Sequence, residues 1–232
     1  PFCVEYINRE TWGALTPRNE LRPLVDAKVQ GIVVHHTTGP STDAATMVAA
    51  HDRYHKVTRG WSGGLAYNWV VSVENGGRIW EGRGWCQGGA TRGWNDKTVA
   101  VAFLGDSDND FPDDAKRALT EVVAEIYRKY GTHLWIRVHS DFKATSCPGG
   151  PLRDWVKSGA LAPANVLTGV SSPSEAQRDW WAHDVFQRFL EGLRDAVEAS
   201  ALKRWRRSND KFAVMAVQGR LNALGHDCGP VD

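Results

Sequence analysis

The chain has 232 residues, 42% hydrophobic and 24% charged, with a formal net charge of +1. That length holds one sizeable domain and an appendage, and the composition is ordinary for a globular protein. The charge excludes a global positive field of the kind that holds nucleic acid, and no uninterrupted apolar run of about 18 residues predicts a transmembrane helix.

The first predicted element is the apolar run Ile32-Val33-Val34, read as a buried strand over 31–36 that ends in His35 and His36. Thr37-Thr38-Gly39-Pro40 breaks the pattern, so the two histidines sit where strand becomes loop. Successive side chains of a strand point to opposite faces, so the pair cannot serve one site in the same way. Two structural histidines are the alternative. Residues 42–56 predict a helix with Ser41 or Thr42 as its N-cap. The loop RGWSGG follows. Strands are then predicted over 66–73 and 78–82, joined by Glu74-Asn75-Gly76-Gly77, a hairpin signal. Residues 98–104, TVAVAFL, read as another buried strand. Leu119, Val122, Val123, Ile126 and Tyr127 fall at helical spacing within a helix over 112–130, which Gly131 ends. A last strand over 134–138 runs straight into His139. The order predicts an α/β fold, a mixed central sheet flanked by helices and followed by a helical C-terminal region.

Four cysteines are scattered at Cys3, Cys86, Cys147 and Cys228 without CxxC spacing, which indicates no disulfide framework. A Cys3–Cys86 bridge is conceivable, but sequence does not fix connectivity. Cys147 precedes Pro148-Gly149-Gly150 on a rigid loop, eight positions after His139. His35 and His139 both follow buried strands. Two imidazoles and a thiolate suit zinc, and three protein ligands leave a fourth position for water, the catalytic arrangement. A buried thiol beside a loop histidine is the other reading of these residues. His51 and His55 stand four apart on a helix, but no glutamate follows His51, so HExxH is absent and a structural role is favoured. There are eleven tryptophans. Trp61, Trp85 and Trp94 lie in glycine-rich loops, where they contact sugar or peptide or simply pack. Arg83 and Arg92 either pair with substrate carboxylates or remain ordinary exposed arginines.

Four ordered stretches carry a resemblance: INRETWGA (7–14), VVHHTTG, HKVTRGWSGGLAYNWVV and HSDFKATSCPG. Over roughly residues 5–158 the chain resembles the zinc-dependent N-acetylmuramoyl-L-alanine amidases, a family that includes phage endolysins and peptidoglycan recognition proteins. The resemblance implies His35, His139 and Cys147 as zinc ligands, with Tyr67 and Thr145 beside the metal as catalytic residues. Some members carry lysine where this chain has Thr145, and Lys143 stands two residues too early to replace it. The implied substrate is peptidoglycan, cut at the amide between N-acetylmuramic acid and L-alanine of the stem peptide. His36 receives no catalytic role. A non-catalytic peptidoglycan-binding protein on the same fold is the second function class, and a zinc peptidase acting within the stem peptide the third.

Residues 1–160 are expected to form the catalytic domain and 161–175 a linker of small and proline-containing composition. Trp181, Val185, Phe189, Leu193, Val197 and Leu202 predict one or two amphipathic helices with a basic end at Lys203-Arg204-Trp205-Arg206-Arg207. A weak membrane-surface contact is one expectation for that segment, and packing against a protein surface is another. Residues 215–232 resemble the first part of a small peptidoglycan-binding repeat. The N-terminal stretch shows no basic segment followed by an apolar one, so no signal peptide is expected. Action at the bacterial cell wall then implies release at phage lysis or a processed secreted form.

Overall fold

Strand β2 (Gly31–His36) is buried at every position, as a valine-rich strand covered on both faces should be. It lies inside the sheet of a computed structural model that describes residues 4–40 and 42–169. The other strands are β1 (Glu5–Ile7), β3 (Trp69–Ser72), β4 (Arg78–Glu81), β5 (Thr98–Phe103) and β6 (Trp135–Val138). Their order is β1-β4-β3-β5-β2-β6. Every neighbouring pair is parallel except β3 with β4, the hairpin announced by Asn75-Gly76. The mixed sheet with flanking helices is the fold class expected. Strand β1 was not anticipated: three residues, Glu5-Tyr6-Ile7, are too few to show a period.

The register sorts the side chains onto two faces. His35 pairs with Ala102 and Ala102 with Val70, so these share one face. Helix α1 (Ala44–Arg53) covers it, with Ala44 and Val48 packed among Leu65, Val70, Trp80, Ala102 and Leu104. His36 pairs with Phe103 and Phe103 with Val71, which places them on the opposite face. Helix α2 (Asp113–Tyr130) packs across β3, β4 and β5 there, and Trp155 of α3 (Gly150–Lys157) reaches Phe103 through Phe111.

Helix α2 buries Leu119, Val122, Val123 and Ile126, each worth roughly 1.5–3 kcal/mol relative to exposure. Asp113 and Asp114 lie in its first turn and Arg128 and Lys129 in its last, matching the helix dipole. Gly131, at φ 97°, stops it in a conformation that side chains disfavour.

Helix α1 begins differently from the expectation. Asp43, not Ser41 or Thr42, holds the N-cap position, and its side chain makes no cap hydrogen bond. The Ala44 N–H instead donates to Glu74 Oε1 at 2.8 Å, so the hairpin turn caps the helix from across the fold. The far end widens into a π-turn over Tyr54–Thr58, which carries His55 into the interior.

The predicted linker is also partly structured. Helix α4 (Pro163–Gly169) packs on α2, Leu161 and Val166 are buried, and the Tyr127 hydroxyl donates to the Leu161 carbonyl at 3.1 Å. Pro163 sits at the helix start, where its missing N–H is harmless. Residues 170–232, including every feature assigned to 176–232 together with Cys228, lie outside the described residues, as do Cys3 and Ser41. Among the described residues no helix is long and apolar enough to cross a membrane.

Candidate metal centre and cleft

His35 is the penultimate residue of β2, and His139 is the first residue beyond β6. Val34 pairs with Val138, so the next residue on each strand falls on the α1 face. Parallel strands therefore deliver both imidazoles to one side of their carboxyl ends, where ligands bind in α/β sheets. The two rings lie 4.6 Å apart. The third group comes from the loop before α3. Cys147 is held there by the Ser140 N–H on its carbonyl at 3.1 Å and by its own N–H on Thr145 Oγ1 at 3.3 Å.

One ligand atom each from His35, His139 and Cys147 lies within 4.8 Å of the others, the one such grouping of three among the described residues. Bond lengths of about 2.0–2.3 Å to a tetrahedral zinc require donors roughly 3.3–3.8 Å apart. His35 Nδ1 and Cys147 Sγ stand at 3.8 Å, close to that spacing, and two imidazoles with a thiol are a donor set that suits such an ion. Burial and the neighbouring His139 and His36 hold His35 well below the usual imidazole range, and burial and Lys143 lower His139. Both are therefore neutral near pH 7 and have a lone pair to offer. Burial pushes the Cys147 thiol up to about 11, although the His36 N–H, 3.4 Å from the sulfur, favours the thiolate. A cation in the cluster would reverse that balance.

Tyr67 lies beside this cluster, and Thr145 is tied to it through the Cys147 N–H. The Tyr67 ring is 5.4 Å from that of His35, and its hydroxyl is 3.5 Å from the His36 carbonyl. Burial and the nearby Cys147 raise its pKa, so the phenol keeps its proton and remains a hydrogen-bond donor. His36 faces away: its Nδ1 accepts from the Ser107 N–H at 3.3 Å and lies 3.7 Å from Asp106.

A cleft of about 380 Å³ is lined by Trp61, Arg83, Asn95 and the backbone of Gly60, Gly63 and Gly89. His55 links it to the metal centre. Its ring stacks on Trp61 at 4.9 Å, meets Tyr67 edge-on at 5.9 Å, and accepts the Ala66 N–H through Nδ1 at 3.2 Å. Arg83 is not freely exposed, and it has no ion pair among the described residues. Its guanidinium donates to the carbonyls of Gly64, Leu65, Gln87 and Gly88, and burial lowers it to about 10. A Cβ at Gly63 or Gly89 would come within 2.5 Å or 2.8 Å of that group, so the glycines are what let Arg83 thread the loops. Arg92 is exposed. Trp85 is a core residue, 4% exposed and packed against Trp69 and Tyr130. Trp94 packs with Trp135 and Phe142.

Sequence reading missed Thr91. Its hydroxyl lies 3.2 Å from His35 Nε2, and both residues are 1% exposed. A lone threonine in a glycine-rich loop carries no pattern that would have singled it out.

The fold is that of the peptidoglycan recognition proteins. The Drosophila PGRP-LB wild-type structure matches it with a TM-score of 0.62 at 23% identity, covering 68% of this chain and 96% of that one. Peptidoglycan recognition protein-LE, solved in complex with tracheal cytotoxin, matches with a TM-score of 0.61 at 27% identity over 67% of this chain and 94% of its own. In sequence, peptidoglycan recognition protein 1 of Bos indicus is 31% identical over 159 residues, spanning 65% of this chain and 81% of that protein. An N-acetylmuramoyl-L-alanine amidase of Homo sapiens is 30% identical over 167 residues, 67% of this chain but 28% of that longer protein. The N-acetylmuramoyl-L-alanine amidase family profile, Amidase_2, matches residues 25–150, more than half of the chain and a span that includes all five predicted site residues. The chain belongs to that family.

Proposed function

We propose that this protein is a zinc-dependent N-acetylmuramoyl-L-alanine amidase that acts on peptidoglycan at the bacterial cell wall. The observation that carries the reading is the convergence of His35, His139 and Cys147 with the protonated phenol of Tyr67 on one face of the sheet.

When bound, zinc supplies a Lewis acid that polarises a carbonyl and brings the pKa of water toward ~7. His35, His139 and Cys147 would hold it. Tyr67 donates its hydroxyl hydrogen bond to the carbonyl oxygen of the scissile amide as negative charge develops there. Thr145, two residues before Cys147, orients the attacking water or the same oxygen, and its bond to the Cys147 amide fixes its position. The cleft beside Trp61 and Arg83 accommodates the stem peptide. The product pair is a glycan bearing a free lactyl carboxylate and a peptide with a free L-alanine amine.

A second reading, binding of peptidoglycan without cleavage, is favoured by the relatives named as recognition proteins. The retained His, His and Cys set favours cleavage. Mass spectrometry of purified peptidoglycan digested with the zinc-loaded protein separates the readings. Stem peptides that begin with free L-alanine establish the amidase. Fragments cut within the stem establish a peptidase, and an unaltered wall that retains the protein establishes a binder.

A further inference from the structure

We propose that Thr91 is a positioning residue for the metal centre, holding the His35 ring in its ligating orientation through its side-chain hydroxyl. The proposal rests on the reading of the centre as a zinc site. The argument starts from the two nitrogens of one ring. His35 Nδ1 points at Cys147 Sγ, 3.8 Å away, while Nε2 lies 3.2 Å from Thr91 Oγ1. A neutral imidazole carries one N–H and one lone pair, and a metal on Nδ1 would leave the N–H on Nε2, where the hydroxyl oxygen of Thr91 can accept it. If Nε2–H donates to Thr91, the Nδ1 lone pair is aimed at Cys147 and His139. The opposite tautomer would place a hydrogen where the metal must sit.

Thr91 is itself held in place. Its N–H donates to Asn95 Oδ1 at 2.8 Å, and its carbonyl accepts the Trp94 N–H at 2.9 Å. Asn95 also lines the cleft. A short chain of contacts therefore runs from the cleft wall through Asn95 and Thr91 to the His35 imidazole. Thr91 is 1% exposed, so no bulk water substitutes readily for its hydroxyl. The bond also restricts rotation of the ring about its Cβ–Cγ axis.

The test compares wild type with Thr91→Val, which keeps the shape and loses the hydroxyl, and Thr91→Ser, which keeps the hydroxyl. The first readout needs no metal. Nitrogen-15 NMR of the zinc-free protein should show His35 ring-nitrogen shifts that coincide in wild type and Thr91→Ser and move in Thr91→Val. The second readout is zinc affinity by competition with a chromophoric chelator. Thr91→Val should bind roughly 10–100-fold more weakly, the usual effect of losing an outer partner of a ligand histidine, with Thr91→Ser restoring most of it. Thermal unfolding of the zinc-free proteins checks that all three fold. Unchanged His35 ring-nitrogen shifts and zinc affinity in a folded Thr91→Val protein overturn the proposal while leaving the metal site intact. A wild-type protein that binds no zinc overturns the metal-site reading and this proposal with it.

Discussion

Asp52, near the end of α1, accepts the Leu65 N–H through Oδ1 at 2.6 Å, two residues before Tyr67. Its other oxygen accepts the Leu15 N–H at 2.8 Å. One buried carboxylate thus ties the N-terminal segment, the helix and the loop that presents Tyr67. Asp52→Ala strands two amides, each costing about 1–3 kcal/mol when left unsatisfied. Urea unfolding should show a loss of roughly 2–5 kcal/mol, and a loss within 0.5 kcal/mol or so would mean that water replaces the carboxylate.

Removing the thiolate ligand should remove the metal. Cys147→Ser is expected to fold and to lose zinc when metal content is measured after dialysis against a weak chelator. Zinc retained at wild-type stoichiometry and affinity would refute the ligand assignment.

Tyr67→Phe is expected to leave fold and zinc content unchanged and to lower turnover on peptidoglycan by ~10²–10³-fold, the typical contribution of one donor to a developing oxyanion. Turnover at the wild-type rate would reduce Tyr67 to a packing residue.

The pH dependence of stability has a definite sign. Burial, assisted by His51 and Arg83, lowers His55 from its ordinary 6.5 to about 4. Between those values the unfolded chain binds a proton that the folded chain refuses. The stabilisation is therefore complete above pH 6.5 and is lost as pH falls through the window toward 4. His55→Asn keeps an acceptor for the Ala66 N–H and removes the titration. Zinc-free wild type should lose stability between pH 7 and 5, and the variant should lose less. Equal slopes for the two proteins would show that His55 is not responsible.

Truncation should respect α4. A chain ending at Ala160 loses the buried Leu161 and Val166, each worth roughly 1.5–3 kcal/mol. A chain ending at Ser174 keeps both. Thermal unfolding should give a clearly lower midpoint for the shorter form, and coincident midpoints would show that α4 contributes nothing.

How much of this was legible depended on whether a local signal existed. The run Ile32-Val33-Val34, the Asn75-Gly76 turn and the α2 periodicity each state their structure within a few residues. The grouping of His35, His139 and Cys147 was legible because one histidine stands at the end of a strand, the other follows one, and the cysteine sits in a Pro-Gly-Gly loop. Long-range partners were not legible. The Glu74 carboxylate that receives the Ala44 N–H comes from 30 positions away, and the carbonyl cage of Arg83 is assembled from two loops. Thr91 contacts His35 across 56 positions, and a threonine hydroxyl leaves no trace in a hydropathy pattern. The small-residue stretch after Ala160 hid α4 because Val166 is the one buried side chain among its described residues, too few to show a period.

The position of β2 has a consequence for assembly. It lies early in the chain, yet its two sheet partners are β5 and β6, which end at Phe103 and Val138. Until those residues have been synthesised, the Gly-Ile-Val-Val run has no neighbour on either side. Such non-local pairing is slow, and an unpaired apolar strand invites association with other chains. The last partner to arrive also carries His139 at its end, and Cys147 follows it. The candidate metal site is therefore finished by the same event that closes the sheet, so a nascent or half-folded chain would have no complete site to load.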